Sequence, residues 1–224
     1  MSAPRPRQGA LALALALSCI GLPAALVLGA AVSRHAANRP DGAIVSDGVV
    51  REYLLHVPGS YDPATPTPLV ISLHAAGLWP AAQREASGWN RVAEREGFIV
   101  VYPSGVSGEG PRVWEANGGA GLARDVRFIA DLIDTLSAAW NIDPARVYAD
   151  GISNGGGMAF ALSCTLSDRI AAVGMVAPAL FLPWRWCPDP RPVPIMVFHG
   201  TDDRTTPYHG GPSWVSRGRN FQGI

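Results

Sequence analysis

Arg146-Val-Tyr-Ala-Asp-Gly-Ile-Ser-Asn-Gly-Gly-Gly-Met-Ala-Phe160 decides the reading of this chain. A β-branched and aromatic run, Arg146–Ala149, leads into Gly151-Ile152-Ser153-Asn154-Gly155, and a small-residue, apolar segment with helical character follows. This is G-x-S-x-G between a strand and a helix, the sequence form of a nucleophile elbow. A serine at the tip of so tight a turn takes strained backbone geometry. Gly151 and Gly155, two positions to either side, must lack a Cβ for strand and helix to approach. The helix beyond aims its free N–H groups and positive dipole end at any anion that forms beside Ser153. The other use of the same residues is a glycine-rich loop with an incidental serine.

Outward from this stretch, apolar runs of strand length alternate with helical segments. Val49–Val57 alternates apolar and polar residues, as a half-exposed antiparallel strand does. Pro68–His74, Phe98–Tyr102, Ile170–Val176 and Pro194–Phe198 are more continuously apolar, as strands covered on both faces are. Ala81–Glu96 has helical composition with Gly97 as its stop. Ala123–Trp140 carries apolar residues at helical spacing, and Gly156–Leu166 is the helix after Ser153. Ser104–Gly121 reads as a long glycine-rich loop. The alternation predicts an α/β domain, a mostly parallel sheet with helices on both faces.

A chain of 224 residues suits one such domain preceded by something short. Eighteen basic residues, all of them arginine and scattered, balance eighteen acidic ones, so no electrostatic footprint for nucleic acid exists. Residues 1–33 place Arg5 and Arg7 before an uncharged apolar stretch from Gly9 to Ser33. That pattern fits either an export signal cleaved near Ser33 or an uncleaved membrane anchor. Lipidation at Cys19 is a third option, for which Ala16-Leu17-Ser18 is a poor match. Each sends the folded part out of the cytoplasm, secreted, periplasmic or anchored facing outward, with membrane contact only through this segment. Residues 34–48 read as a polar linker, 49–216 as the domain, and 217–224 as a tail with neither apolar periodicity nor a strand. Cys164 and Cys187 either form a disulfide, which an oxidising compartment favours, or remain two buried thiols.

A serine hydroxyl needs a base to take its proton and donors for the oxyanion that forms. His74-Ala75-Ala76-Gly77 leaves a buried strand where a backbone N–H near Ala75 can serve as one donor, joined by that of Asn154 directly after the serine. His199-Gly200-Thr201-Asp202-Asp203 ends a late strand, where the acid of the order Ser, Asp, His belongs. Asp203 is the first choice and Asp202 the second. An Asx-type turn is the other use of adjacent aspartates. His209 follows Asp203 and is either the base, if its loop folds back, or a residue on the substrate side. Trp79, Trp114, Trp184, Trp186 and Trp214 fall in loops and either form an apolar platform for acyl groups or pack beneath those loops.

Taken together these strings resemble the secreted poly(3-hydroxybutyrate) depolymerase and feruloyl/acetyl-xylan esterase family of α/β-hydrolases. The resemblance rests on Leu73-His74, Val101-Tyr102-Pro103, Asn141–Tyr148, Gly151–Gly156, Leu166–Arg169, His199–Asp203 and Pro207–Gly211. It implies an exported serine esterase acting through an acyl-enzyme, with no metal and no organic cofactor. The ester substrate would be a polyhydroxyalkanoate-type polyester or an acylated plant polysaccharide. It places the acid at the last position of His-Gly-Thr-x-Asp, which is Asp203. It also implies a catalytic histidine downstream of a further strand, where this chain has Arg217–Ile224 and no histidine. The expectation is therefore an incomplete domain, its last strand and helix missing, with Pro194–Phe198 left as a bare edge. The base is then absent or is His209, and the rival to an esterase is a non-catalytic remnant or binding protein. A peptidase on the same fold is a third reading.

Overall fold

A computed structural model describes residues 38–106, 112–187, 191–215 and 218–224. Residues 1–33, expected to be an export signal or anchor, lie outside the described residues, Cys19 included. Contacts divide the chain into Met1–Arg39 and Pro40–Ile224, and the second unit carries the fold. Among the described residues seven strands form one sheet, β1 (Gly42–Ser46), β2 (Val49–His56), β3 (Thr67–Leu73), β4 (Ile99–Pro103), β5 (Ile142–Ile152), β6 (Ala172–Val176) and β7 (Ile195–Phe198). Their spatial order is β1-β2-β4-β3-β5-β6-β7. β1 and β2 are antiparallel to each other and β2 to β4, and the other pairings within this sheet are parallel.

Among the described residues four α-helices flank the sheet: α1 (Pro80–Ser87), α2 (Trp89–Glu96), α3 (Gly119–Ala139) and α4 (Asn154–Thr165). The period of two along a strand explains why the central strands are apolar without a break. On β3, Leu69, Ile71 and Leu73 face one cluster with Phe128, Leu132 and Met158 of α3 and α4, while Val70 faces another with Ala81 and Ala93 of α1 and α2. Both faces are buried, so both must be apolar. No helix among the described residues is long and apolar enough to cross a membrane.

Several local expectations change. Gly42–Ser46, read as linker, is a strand, because Asp47 (φ 51°) and Gly48 (φ 74°) make the two-residue hairpin turn that joins Ser46 to Val49. Ala81–Glu96, expected as one helix, breaks at Gly88 (φ 64°), whose N–H caps α1 on the Arg84 carbonyl. The tail is not free of strand structure either. β8 (Gly211–Pro212) pairs with β9 (Asn220–Phe221), and Phe221 is buried against Phe181 with ring centroids 5.1 Å apart. The N–H groups of Gln222 and Ile224 donate to the carbonyls of Leu180 and Tyr208. One buried aromatic and a few backbone bonds hold this segment, which leaves no periodicity to detect. Cys164, on α4, and Cys187, after the short 3₁₀ turn Trp184–Trp186, are joined in a disulfide.

Candidate active site

Ser153 stands between the end of β5 and the start of α4 with φ 54° and ψ −118°. This positive φ is costly for a residue with a side chain, and it persists because the surroundings hold it. The Ser153 N–H donates to the Val176 carbonyl, and its own carbonyl accepts from Gly157 and Ala179. A Cβ on Gly151 would fall on the backbone of Gly155, and one on Gly155 would fall on the Leu73 carbonyl. Gly157 is as constrained, since its Cβ would meet the carbonyl oxygen of Ala179. The turn therefore requires glycine where the sequence has it.

The two expected oxyanion donors lie on adjoining segments. β3 pairs with β5 as far as Leu73 beside Gly151, so the residues just beyond, Ala75 and Asn154, leave the same end of the sheet. Among the described residues neither the Ala75 nor the Asn154 N–H is engaged outside the sheet and helix ladders. His74 is fully buried and holds this loop: Nδ1–H donates to the Ala75 carbonyl at 2.8 Å, and Nε2 accepts the Gly105 N–H at 2.9 Å. Burial pushes the His74 pKa down to about 4, with the Arg112 and Arg51 charges acting the same way against the Ala75 hydrogen bond. The imidazole is neutral in the working range. A cleft of about 290 Å³ opens beside Asn154, lined in part by Ala76, Val113, Trp114, Phe181 and Arg219.

Asp203 sits beyond β7. Its Oδ1 accepts the N–H groups of Thr205 (2.7 Å) and Thr206 (3.0 Å), and its Oδ2 the Thr206 hydroxyl (2.9 Å). Partial burial alone would raise the Asp203 pKa, but these bonds and the nearby His199 outweigh it and leave the carboxyl below its ordinary range. Thr206 Oγ1 also lies 3.3 Å from the carbonyl of Ala177, a non-glycine residue at φ 41° directly after Val176. The acid loop is thus pinned to the turn that receives the Ser153 N–H. Asp202 is exposed and makes no such contact.

The histidines are placed differently from the simplest expectation. His209 is exposed, and its contact is the edge of the Tyr208 ring at 5.0 Å. Among the described residues nothing joins it to Asp203 or Ser153. Its loop instead turns onto the C-terminal segment, where Gly210 packs against Phe221 and Gly223. His199 approaches Asp203 Oδ2 at 3.4 Å, but its Nε2 is bonded to the Thr206 carbonyl at 2.7 Å, so it organises the acid loop. Trp114 is 2% exposed and does not belong to an open platform, whereas Trp214 is 78% exposed. Thr206 and Ala177 carried no signal that was read from the sequence. The Asp203-x-x-Thr206 spacing of a local turn was the available one.

Strand order, the strained serine after β5 and the parallel core define an α/β-hydrolase. A thermophilic esterase of Thermogutta terrifontis, solved with butyrate bound, superimposes with a TM-score of 0.58 at 19% identity, covering 76% of each chain. Residues 52–183, more than half of the chain, match the family described as esterase PHB depolymerase, and the chain belongs to that family. A bifunctional acetylxylan esterase/xylanase of Neocallimastix patriciarum is 34% identical over 162 residues, 72% of this chain and 22% of the relative. Feruloyl esterase B of Piromyces equi is 31% identical over 179 residues, 75% of this chain and 32% of the relative. The chain thus spans less than a third of the length of these two relatives. Ser153, Asn154 and His74 lie inside the family match, and Asp203 lies outside it.

Proposed function

We propose that this chain is an exported serine esterase. Ser153 attacks a carboxylic ester, its proton passing to His209 once the loop after Asp203 folds back, the backbone N–H groups of Ala75 and Asn154 receive the oxyanion, and Asp203 is the acid of the set. The observation that carries the reading is the Ser153 backbone at φ 54°, held from both sides by hydrogen bonds, next in the chain to Asn154, which lines a cleft. Backbone strain of that kind clusters at functional sites, and on a serine between a strand and a helix it is the geometry that presents a nucleophile. The substrate class is supported by the relatives' acetylxylan, feruloyl and polyhydroxyalkanoate esters. Export is supported by the apolar segment after Arg5 and Arg7 and by the Cys164–Cys187 disulfide.

A second reading is favoured by one finding. Among the described residues no histidine is hydrogen-bonded to Ser153. Under it the chain binds esters without turning them over. Hydrolysis of p-nitrophenyl acetate separates the two. The esterase reading expects turnover that Ser153→Ala lowers by at least about 10³-fold. Absence of turnover from a cooperatively folded chain, or turnover that survives Ser153→Ala, would defeat it.

A further inference from the structure

Resting on that esterase reading, we propose that the Asn154 side chain and Trp114 form a clamp that positions the oxyanion donor of Ala75. Asn154 would then act twice, once as a donor through its backbone and once as a positioning residue through its amide. The two donors come from segments far apart in sequence, and the ladder between β3 and β5 ends at Leu73 and Gly151, before either of them. Something past the sheet must fix their separation.

Trp114 occupies that place. Asn154 Oδ1 accepts the Trp114 N–H at 2.7 Å, and Asn154 Nδ2 donates to the Trp114 carbonyl at 2.9 Å. The primary amide matches both backbone groups of one residue, and it is 4% exposed. From there the Trp114 indole Nε1–H donates to the His74 carbonyl at 3.1 Å. That carbonyl and the Ala75 N–H belong to one peptide plane. Gripping the oxygen end fixes the direction of the N–H end and polarises it, since hydrogen bonds in series strengthen one another where the dielectric is low. The His74 ring secures the other side of Ala75 by donating to its carbonyl, and packs 5.3 Å from the Trp114 ring. A carboxamide is required at 154. Alanine keeps the backbone donor and loses the clamp, and an ionised carboxylate accepts from the Trp114 N–H but repels the Trp114 carbonyl.

The test uses the full chain, p-nitrophenyl acetate and Asn154→Asp. At about pH 8 kcat should fall roughly 10–100-fold with KM within about two-fold, the signature of misplaced transition-state donors. Burial raises a carboxyl pKa, and a protonated acid restores the missing donor. The ratio of variant to wild-type kcat should therefore climb as the pH falls toward 5. A ratio flat with pH, or a loss confined to KM, overturns the proposal. If Asn154→Asp does not fold, Trp114→Phe keeps a buried aromatic ring and removes the indole N–H. It should lower kcat by about 3–10-fold without moving KM, and an unchanged kcat overturns the proposal. Absence of turnover in the wild type would sink the esterase reading alone. The clamp is then read by amide hydrogen exchange, which Asn154→Ala should accelerate at Trp114 and Ala75, and unchanged exchange at both refutes it.

Discussion

The corner that carries Ser153 and Asn154 is built against the core, with Asn154 buried, whereas the corner that carries Asp203 sits beyond an exposed edge strand. Around the serine the backbone is clamped by Val176, Gly157 and Ala179, and the loops that face it are tied by buried side chains. Arg51 pairs with Asp125 at 2.9 Å, both buried, and also reaches the Ser104 carbonyl, while Asp125 Oδ2 accepts the Glu115 N–H. The Arg51 guanidinium lies 3.9 Å over the Phe128 ring. Desolvation lowers the Arg51 pKa, and Asp125 opposes that shift by contact and hydrogen bond. Asp203 is held by its own turn, and the strand before it is an edge with Met196 63% and Phe198 60% exposed. One corner is pre-organised by the core, and the other takes its shape from a few local hydrogen bonds. An oxyanion site needs rigid donors at fixed spacing. An acid that orients a base tolerates a more local anchor.

The contrast breaks most readily at the buried pair. Asp125→Ala leaves the Arg51 charge buried and frees the Glu115 N–H, so denaturant melts should show a loss of about 3–5 kcal/mol. A loss under about 1 kcal/mol would mean the serine corner is no better braced than the acid corner.

A smaller effect sharpens the picture on the opposite face of β5. Asp150 is raised to about 6, first by burial, with hydrogen bonds from Trp89 and Ser72 working against the rise. Among the described residues its Oδ1 has no hydrogen-bond partner. The folded state therefore holds the proton more tightly than the unfolded chain, whose carboxyl titrates near 3.8. Stability should fall as the pH rises through that window and level off above about 6. Asp150→Asn removes the penalty. Its melting temperature should match the wild type near pH 4 and exceed it at pH 7, by an amount worth on the order of 2 kcal/mol. Equal melting temperatures at pH 7 would remove the buried charge from the account.

The smallest change in stability belongs to the edge. Phe198→Lys should shift the melt by about 0.5 kcal/mol or less, yet reduce self-association, because charge on an open strand blocks edge pairing. Light scattering and a melt together decide it. A destabilisation above about 2 kcal/mol would mean that Phe198 is covered in solution.

Sheet class, the sharp turn at Ser153 and the loop that leaves β3 at His74 were legible because each is written in consecutive residues. The alternating run marked β2, the continuously apolar runs marked β3, β4, β6 and β7, and Gly151, Ser153 and Gly155 marked a turn with no space for a Cβ. Strand β1 is weakly written, because its polar and glycine-bearing surroundings read as a linker even with the hairpin signal of Asp47-Gly48 beside it. The break at Gly88 is hidden in the sequence because the composition on either side is helical. Partnerships across the chain were not legible. Nothing local in Trp114 says that its backbone meets the Asn154 amide and its indole the His74 carbonyl.

By itself the sequence determined the alternation of strands and helices, the strained serine between two glycines, and membership in an esterase family, because sterics and burial act on neighbours in the chain. The tertiary structure alone decided which groups converge. It put Trp114 between His74 and Asn154, bound His199 to the Thr206 carbonyl and left His209 outside, because such contacts depend on where separate segments come to rest once the apolar faces of the sheet are covered.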